Sequence, residues 1–149
     1  MALKRFNAAL TVAATAHAAN AVIGGLLTLY GLGAPPGIKL RTVQISDSSG
    51  LVITYRLTIF DAVPTTIADD APMTPADADL NNIISEPVLD APTYQKVYTN
   101  NSVHIREGMD VDLMSSEASG HLYGMLWSPT GGTFVATVLV GLLLLYEDQ

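Results

Sequence analysis

Apolar and polar side chains alternate along most of this chain. The pattern is clearest between residues 51 and 60, where one face carries Ile53, Tyr55, Leu57 and Ile59. A period of two is typical of an antiparallel sheet with one face in the core and the other in water. Turn residues separate further segments of this kind. The predicted strands are Phe6–Val12, Val22–Tyr30, Ile38–Ile45, Leu51–Phe60, Ile84–Leu89, Tyr94–Tyr98, Ser102–Ile105, Met109–Met114, Leu122–Ser128 and Thr133–Tyr146.

Short strands at this spacing predict an all-β fold, either an antiparallel β-sandwich or a jelly roll. The length of 149 residues fits a single domain that spans 1–149. Within the second predicted strand, the Gly24-Gly25 pair predicts a bulge or a bend, because glycine weakens a strand and adopts the conformations that bulges need.

One stretch breaks the alternation. Residues 61–80, DAVPTTIADDAPMTPADADL, are acidic and rich in proline. Within this stretch, Thr74, Pro75 and Asp77 have the spacing of a helix N-cap, a first-turn proline and an acidic residue in the first turn. We therefore expect one short helix, from about Pro75 to Ile83, inside a long acidic loop.

The apolar stretch Phe134–Tyr146 allows two interpretations. A membrane-spanning helix needs about 20 consecutive apolar residues, whereas this stretch has 13 and includes Thr137 and Gly141. It is rich in β-branched residues, which favour strands, and no Lys or Arg flanks it. We interpret it as a strand with two apolar faces, both of which need cover. One face would lie in the sandwich core and the other against a neighbouring subunit.

The first 20 residues also allow alternatives. Lys4 and Arg5 precede a mildly apolar run and several small residues, which is the outline of a secretory signal. Because that run is mostly alanine, we expect the segment to be retained. Residues 1–20 have too few large apolar side chains to fold alone. Leu3–Val12 is therefore expected to be either an arm laid along another subunit or an edge strand of the chain's own sandwich.

Composition narrows the class of protein. Only 14% of residues are charged, against about 25% in typical domains, so the chain has apolar surface to cover with copies of itself or a partner. The formal net charge of -7 argues against nucleic acid as a partner. The chain has no cysteine, which excludes disulfides and thiolate metal sites.

Two sets of residues are candidate metal ligands. Asp-x-Asp spacing suits a hard cation, but the acidic loop lacks the glycine and closing glutamate of an EF-hand, so we interpret it as a solvated loop around a capped helix. The three histidines lack the short spacings of metal ligands. We predict no metal site and no cofactor. The two candidate sets are the aspartates Asp61, Asp69, Asp70, Asp77 and Asp79 and the histidines His17, His104 and His121.

Motifs for catalysis are absent from the sequence, which has no GxSxG, no Ser-x-x-Lys and no Walker loop. A glycosidase-like pair of carboxylates in the acidic loop is the weakest alternative, because no spacing identifies such a pair. Tyr123, Met125 and Trp127 fall on one face of a strand, which predicts core residues rather than a sugar platform. We therefore expect a protein that is not an enzyme.

Four stretches together resemble the capsid decoration or cement proteins of tailed bacteriophages, also called minor capsid proteins. The combination of LTIFDA followed by ADADL is the most characteristic part of the resemblance, and the four stretches are spread over most of the chain. They are AHAANAVIGGLLTLYG, VQISDSSGLVITYRLTIFDAVPT, PADADLNNII and HLYGMLWS.

The resemblance implies a β-sandwich that binds the outside of an icosahedral shell, or bridges its capsomers, without catalysis. Its partners would be the major capsid protein and copies of itself, in a homo-oligomer such as a trimer, and neither nucleic acid nor a membrane is expected. The protein would be made in the host cytoplasm and reside on the capsid surface of the virion. The alternative is a carbohydrate- or receptor-binding module of a head fibre or tail appendage, in which stacking faces are offered by Tyr55, Tyr94, Tyr98 and Trp127.

Overall fold

The computed structural model describes residues 2–48, 50–99, 101–134 and 139–149, and within these ranges the chain folds into two antiparallel sheets and a small ribbon. The first is a six-stranded sheet in which β1, β13, β4, β9 and β8 are neighbours in that order and β10 also pairs with β4. Its strands are β1 (Lys4–Thr11), β4 (Ile38–Asp47), β8 (Gln95–Val97), β9 (Ser102–Arg106), β10 (Val111–Leu113) and β13 (Leu139–Asp148).

The second is a five-stranded sheet in the order β3, β11, β5 and β6, with β7 also paired to β5. Its strands are β3 (Ala21–Leu29), β5 (Tyr55–Phe60), β6 (Ile83–Ser85), β7 (Val88–Leu89) and β11 (Leu122–Ser128). The ribbon pairs β2 (Ala16–His17) with β12 (Gly132–Thr133). A 3-10 helix (Asp77–Asn82) and the four-residue helix α1 (Ala91–Tyr94) complete the described elements.

The main core lies between the two sheets. From the five-stranded sheet, Tyr55, Leu57 and Ile59 are fully buried, as the alternation of this segment predicts. From the six-stranded sheet, Val140 and Leu144 are fully buried in the same cluster. Full burial of one such side chain stabilises the fold by about 1.5–3 kcal/mol. The structure confirms the predicted all-β sandwich, but it does not confirm the finer prediction of a jelly roll.

The predicted irregularity at Gly24-Gly25 is confirmed. The pairing between β3 and β11 skips both glycines, because Met125 is opposite Leu26 while Leu126 is opposite Ile23. Both glycines have positive φ angles, of 83° and 76°, which side chains with a Cβ rarely adopt.

Several predicted boundaries are wrong, each for a local reason. The short helix begins at Asp77 instead of Pro75 and is a 3-10 helix. The Thr74 hydroxyl does not cap it and donates instead to the Pro72 carbonyl, at 3.3 Å. The first part of Leu51–Phe60 is not strand, since β5 begins at Tyr55. Pro87 separates β6 from β7, because proline cannot supply a ladder hydrogen bond.

The two ends of the chain are adjacent strands. β1 pairs antiparallel with β13 along its whole length, from Lys4 opposite Tyr146 to Thr11 opposite Leu139. Of the two alternatives for Leu3–Val12, the structure shows the strand of the chain's own sheet. The predicted strand Thr133–Tyr146 is described as strand from Leu139 onward, and residues 135–138 lie outside the described residues. Among the residues that the structure describes, no helix is long and apolar enough to cross a membrane.

Candidate functional site

The surface that stands out is the outward side of the six-stranded sheet. The strand register places two rows of residues across four strands, where Asn7 and Ala9 of β1 and Leu143 of β13 lie on the side away from the core. We name these two rows the open face. Its first row is Ala9, Gly141, Ser46 and Val103, and its second row is Asn7, Leu143, Gln44 and Ile105.

The open face carries no charged side chain in either row. Its residues are small, apolar or neutral polar, and Leu143 is only half-buried although it lies in the middle of the sheet. Ile105 is 39% exposed. A contiguous uncharged surface of this kind is unusual on a monomer and is typical of the centre of an interface.

A shallow depression lies at the centre of the open face. It has a volume of about 320 Å³, and Gly141 forms part of its floor because it has no side chain. A Cβ atom at Gly141 would lie 2.7 Å from the Ser46 Oγ atom, so a larger residue here would displace the Ser46 hydroxyl and fill the depression. The depression is therefore a consequence of one glycine in a strand that is otherwise rich in leucine.

Charged side chains occupy the other end of the same sheet. Lys39 lies 2.9 Å from both Asp110 and Asp112, and Arg41 lies 2.9 Å from both Asp110 and Glu147. The hydrogen bond from Lys39 lowers the pKa of Asp110 below its ordinary value. Because these groups are exposed to solvent, such pairs add little to stability. They border the open face at this end, and Arg5 borders it on β1, where its Nε donates to Asn7 Oδ1 at 3.2 Å and its side chain lines the depression.

The five-stranded sheet differs because its outward side is covered. Phe60, Tyr123 and Met125 point away from the main core and form a second buried cluster. The acidic loop packs over this cluster with Ile67 and Met73. The prediction of a solvated loop is therefore wrong in part, because apolar side chains of the loop cover a sheet and, of its five aspartates, only Asp70 and Asp77 are exposed.

A hydrogen-bonded pair, the buried His17 and the partly buried Asp69, fastens the acidic loop to the N-terminal part of the chain. Asp69 Oδ1 accepts hydrogen bonds from His17 Nε2 at 2.9 Å and from the Gly24 backbone N–H at 2.7 Å. Asp69 Oδ2 accepts from the Ala13 backbone N–H at 2.7 Å. The side chain of His17 is 1% exposed, and its ring packs edge-on against Phe134.

The electrostatics of Asp69 follow from these contacts. Burial alone raises the pKa of its carboxyl, but hydrogen bonds from Gly24, Ala13 and His17 outweigh burial and leave the pKa below its ordinary value. Each of these bonds favours the ionised form. Asp69 is therefore a charged structural link between two segments.

Of the remaining carboxylates that the structure describes in the loop, only Asp70 approaches the pair of His17 and Asp69, with its Oδ1 atom 4.0 Å from His17 Nδ1. Asp79 is buried and accepts a hydrogen bond from the Thr65 backbone N–H at 2.8 Å. Asp70 lies near Thr15, and Asp77 is exposed in the 3-10 helix. The Asp61 backbone carbonyl accepts hydrogen bonds from the Ser115 hydroxyl and the Ser116 backbone N–H. Within the described ranges, no group of three or more His, Cys, Asp or Glu residues could hold a metal ion.

The other two histidines are in separate places. His104 is fully buried, and its Nε2 atom lies 2.7 Å from the Ile53 carbonyl oxygen. Burial lowers the pKa of His104 below its ordinary value. His121 accepts a hydrogen bond from the Gly31 backbone N–H through Nδ1, at 2.9 Å. The structure therefore brings only His17 to a carboxylate of the acidic loop.

The four aromatic residues considered for sugar stacking do not form a platform. Tyr55 is fully buried and donates its hydroxyl to Asp47 at 2.7 Å, so its inclusion is wrong. The other three each have a cationic side chain over the ring: Arg56 over Trp127, Arg106 over Tyr94, and Lys96 over Tyr98.

The prediction for the strand of Tyr123 holds in part. Tyr123 and Met125 are buried, as expected of core residues, whereas Trp127 is half-buried beneath Arg56. Sequence reasoning missed Tyr30, which is 74% exposed and packs edge-on against His121. Its place at the end of an apolar strand, before a Gly-rich loop, was the only available signal.

Comparison with known proteins adds no family to this description: no protein-family model matches the chain, and no curated protein matches it significantly.

Proposed function

We propose that this chain is a structural protein of a tailed-bacteriophage virion, one that decorates or cements the capsid by binding major capsid protein subunits and copies of itself. The observation that carries the proposal is the open face, a neutral surface in the middle of a six-stranded sheet. The resemblance of four stretches of sequence to capsid decoration proteins supports the same function.

The physical argument concerns the free energy of leaving this surface exposed to water. Each square ångström of apolar surface that a partner removes from water contributes about 25 cal/mol. Leu143 and Ile105 lie in one row with the neutral Asn7 and Gln44, so within the two rows a flat partner surface meets no charge that it would have to desolvate. Arg5, which lines one side of the depression and donates to Asn7, is the charge that a partner meets at the margin. A binding surface of this type needs no catalytic group.

The acidic character of the chain fits the same function. With a net charge of -7, the surface outside the open face repels the packaged nucleic acid and favours a position on the outside of the shell. In this proposal the protein is made in the host cytoplasm and then becomes part of the virion.

The first test is whether the chain is present in purified particles of the phage that encodes it, measured by mass spectrometry of the virion proteins. The second is co-sedimentation of the purified chain with capsid shells. We expect the wild type to sediment with the shells and the Leu143→Asp variant to remain in the supernatant, because the new carboxylate would be desolvated at the contact.

The matched control is Leu80→Asp, which introduces the same side chain at an exposed position of the 3-10 helix. We expect this variant to sediment like the wild type. Absence of the chain from purified virions, or equal sedimentation of the wild type and Leu143→Asp, contradicts the proposal.

Carbohydrate or receptor binding by a head-fibre or tail-appendage module is the second candidate, and one observation favours it. Tyr30 is 74% exposed and lies beside His121, which resembles the stacking surface of a sugar site. A glycan array tests this function. Binding that Tyr30→Ala abolishes supports it, and a flat response across host glycans removes it.

A further inference from the structure

The sheet edges of this protein differ in how well they are protected. An exposed edge presents unpaired N–H and C=O groups, and natural proteins shorten, cover or distort such edges. On the five-stranded sheet, the acidic loop covers the first half of β3, where Val22 exchanges backbone hydrogen bonds with Ala71 and Asp70. The opposite edge consists of β6 and β7, which have three and two residues.

On the six-stranded sheet, only one edge is protected in this way. β8 has three residues and follows directly on helix α1. β1 has eight residues, contains no proline, and has charged side chains only at Lys4 and Arg5. No hydrogen bond joins its free edge to any other residue that the structure describes. β1 is therefore a long, unprotected edge.

We propose that β1 pairs antiparallel with β1 of a second copy of this chain around a two-fold axis, so that the two six-stranded sheets become one continuous sheet. The proposal rests on the proposed function only in that it specifies the contact between copies. Such strand addition supplies main-chain hydrogen bonds along the whole edge. A two-fold contact of this type builds an even-numbered assembly, so a trimer does not follow from it.

The charge distribution along β1 favours a second copy in this orientation. The strand begins with Lys4 and Arg5, and its far end is followed by Ala13, to which the Asp69 carboxylate is bound. Lys4 pairs with Asp148 of its own chain. Antiparallel pairing keeps the basic ends of the two copies at opposite ends of the contact, each beside the Asp69 end of the other copy, whereas parallel pairing would align the two basic ends. The side chains near the middle are the small residues Asn7, Ala8 and Ala9.

The same arrangement explains why the six-stranded sheet has both an unprotected edge, β1, and an uncovered outward side, the open face. Antiparallel pairing places residues of the same face opposite one another, so the open faces of two copies would form one surface. The dimer would then present a surface of twice the width to a partner, with Arg5 of each copy beside the seam.

The test uses the oligomeric state in light scattering over a series of concentrations. We expect a dimer for the wild type and at least a tenfold weaker dimer for Ala9→Lys, because equal charges would meet near the two-fold axis. Ala9 is exposed, so the variant should fold, which circular dichroism checks. Val97→Lys is the matched control at the opposite edge of the sheet, where the side chain is 47% exposed, and should remain a dimer.

A second measurement does not depend on a disruptive variant. Because the chain has no cysteine, single cysteines report on proximity without background. A residue on the two-fold axis faces its own copy, so one of Asn7→Cys, Ala8→Cys and Ala9→Cys should form a cross-linked dimer with a short thiol cross-linker. Lys96→Cys on β8 should not.

A monomeric wild type, a dimer that Ala9→Lys leaves unchanged, or cross-linking at β8 in place of β1 would overturn the proposal. Its failure can be distinguished from failure of the proposed function. A chain that sediments with capsid shells but does not dimerise through β1 refutes only the pairing, and a β1 dimer that is absent from virions refutes only the capsid function.

Discussion

The two sheets of this sandwich share one core, but they differ in how their outward sides are covered. The five-stranded sheet covers its own outward side, because Ile67 and Met73 of the acidic loop pack on Phe60 and Met125. The six-stranded sheet leaves its outward side open, with Leu143 half-exposed in the middle. The chain covers the outward side of the five-stranded sheet with its own loop, and a second loop could have covered the six-stranded sheet in the same way. The open sheet is therefore the side where a partner is expected.

The largest expected effect is the difference between substitutions on the buried face and on the outward face of β13. Val140 is fully buried in the main core, whereas Leu143 lies on the open face. Val140→Asp buries an unpaired carboxylate and should destabilise the fold by more than about 4 kcal/mol, so that the chain aggregates. Leu143→Asp should fold and lose association with its partner. Urea denaturation and light scattering measure the two effects, and a folded, associating Val140→Asp would contradict the position of this strand. Val138, at which the same substitution is expected to be disruptive, lies outside the described residues.

A second contrast concerns one glycine on each sheet. Gly24→Ala should cost about 3 kcal/mol, because a Cβ there would lie 2.6 Å from the Leu10 side chain and the residue has a positive φ angle. Gly141→Ala should change the free energy of unfolding by less than about 1 kcal/mol, because only the Ser46 hydroxyl has to move. Equal costs in urea denaturation would show that the open face at Gly141 is packed as tightly as the main core between Gly24 and Leu10.

The link between the loop and the covered sheet is tested at Asp69. Asp69→Ala removes the acceptor of three hydrogen bonds and should destabilise the fold by about 2 kcal/mol. Hydrogen exchange should accelerate at residues 63–74 and leave β4 and β13 unchanged. The control is Asp77→Ala at an exposed position of the same loop, with an expected change within about 0.5 kcal/mol. Uniform acceleration across both sheets would mean that the loop is not a separate cover.

Acid should act on the same link with a smaller effect. The folded pKa of Asp69 lies below its ordinary value of 3.8, so the folded state holds this proton less tightly than the unfolded state. The stabilisation is complete above pH 3.8 and is lost as the pH falls through the folded pKa. Between about pH 5 and about pH 3, a range that includes the ordinary aspartate pKa, the wild type should lose more stability than Asp69→Asn. Parallel stability curves would contradict this assignment.

Much of the fold follows from local patterns. The alternation around Tyr55, Leu57 and Ile59 predicts the inward face of β5, and the double glycine predicts the bulge at Gly24. These features depend on residues close together in sequence, so a single segment carries the whole signal. The uncapped 3-10 helix could not be predicted, because the Thr74 hydroxyl has a nearby backbone acceptor at Pro72 that competes with a helix cap.

The candidate site depends on long-range pairing, and the sequence carries little of it. The apolar run of β13 predicts a strand with two faces to cover, but the open face exists only because β1 and β4 align Ala9 and Ser46 with Gly141. Likewise, His17 and Asp69 are 52 residues apart in sequence, and no short motif connects them. Strand register fixes both features, and register is set by the whole sheet.

The most direct test of the central claim is hydroxyl-radical footprinting of the chain, first alone and then bound to its particle. We expect Leu143 and Ile105 to be labelled in the free chain and protected in the particle. Tyr30, which lies outside the open face, should be labelled to the same degree in both states. Equal labelling of Leu143 and Ile105 in the two states, with protection elsewhere, would contradict the assignment of the open face as the binding surface.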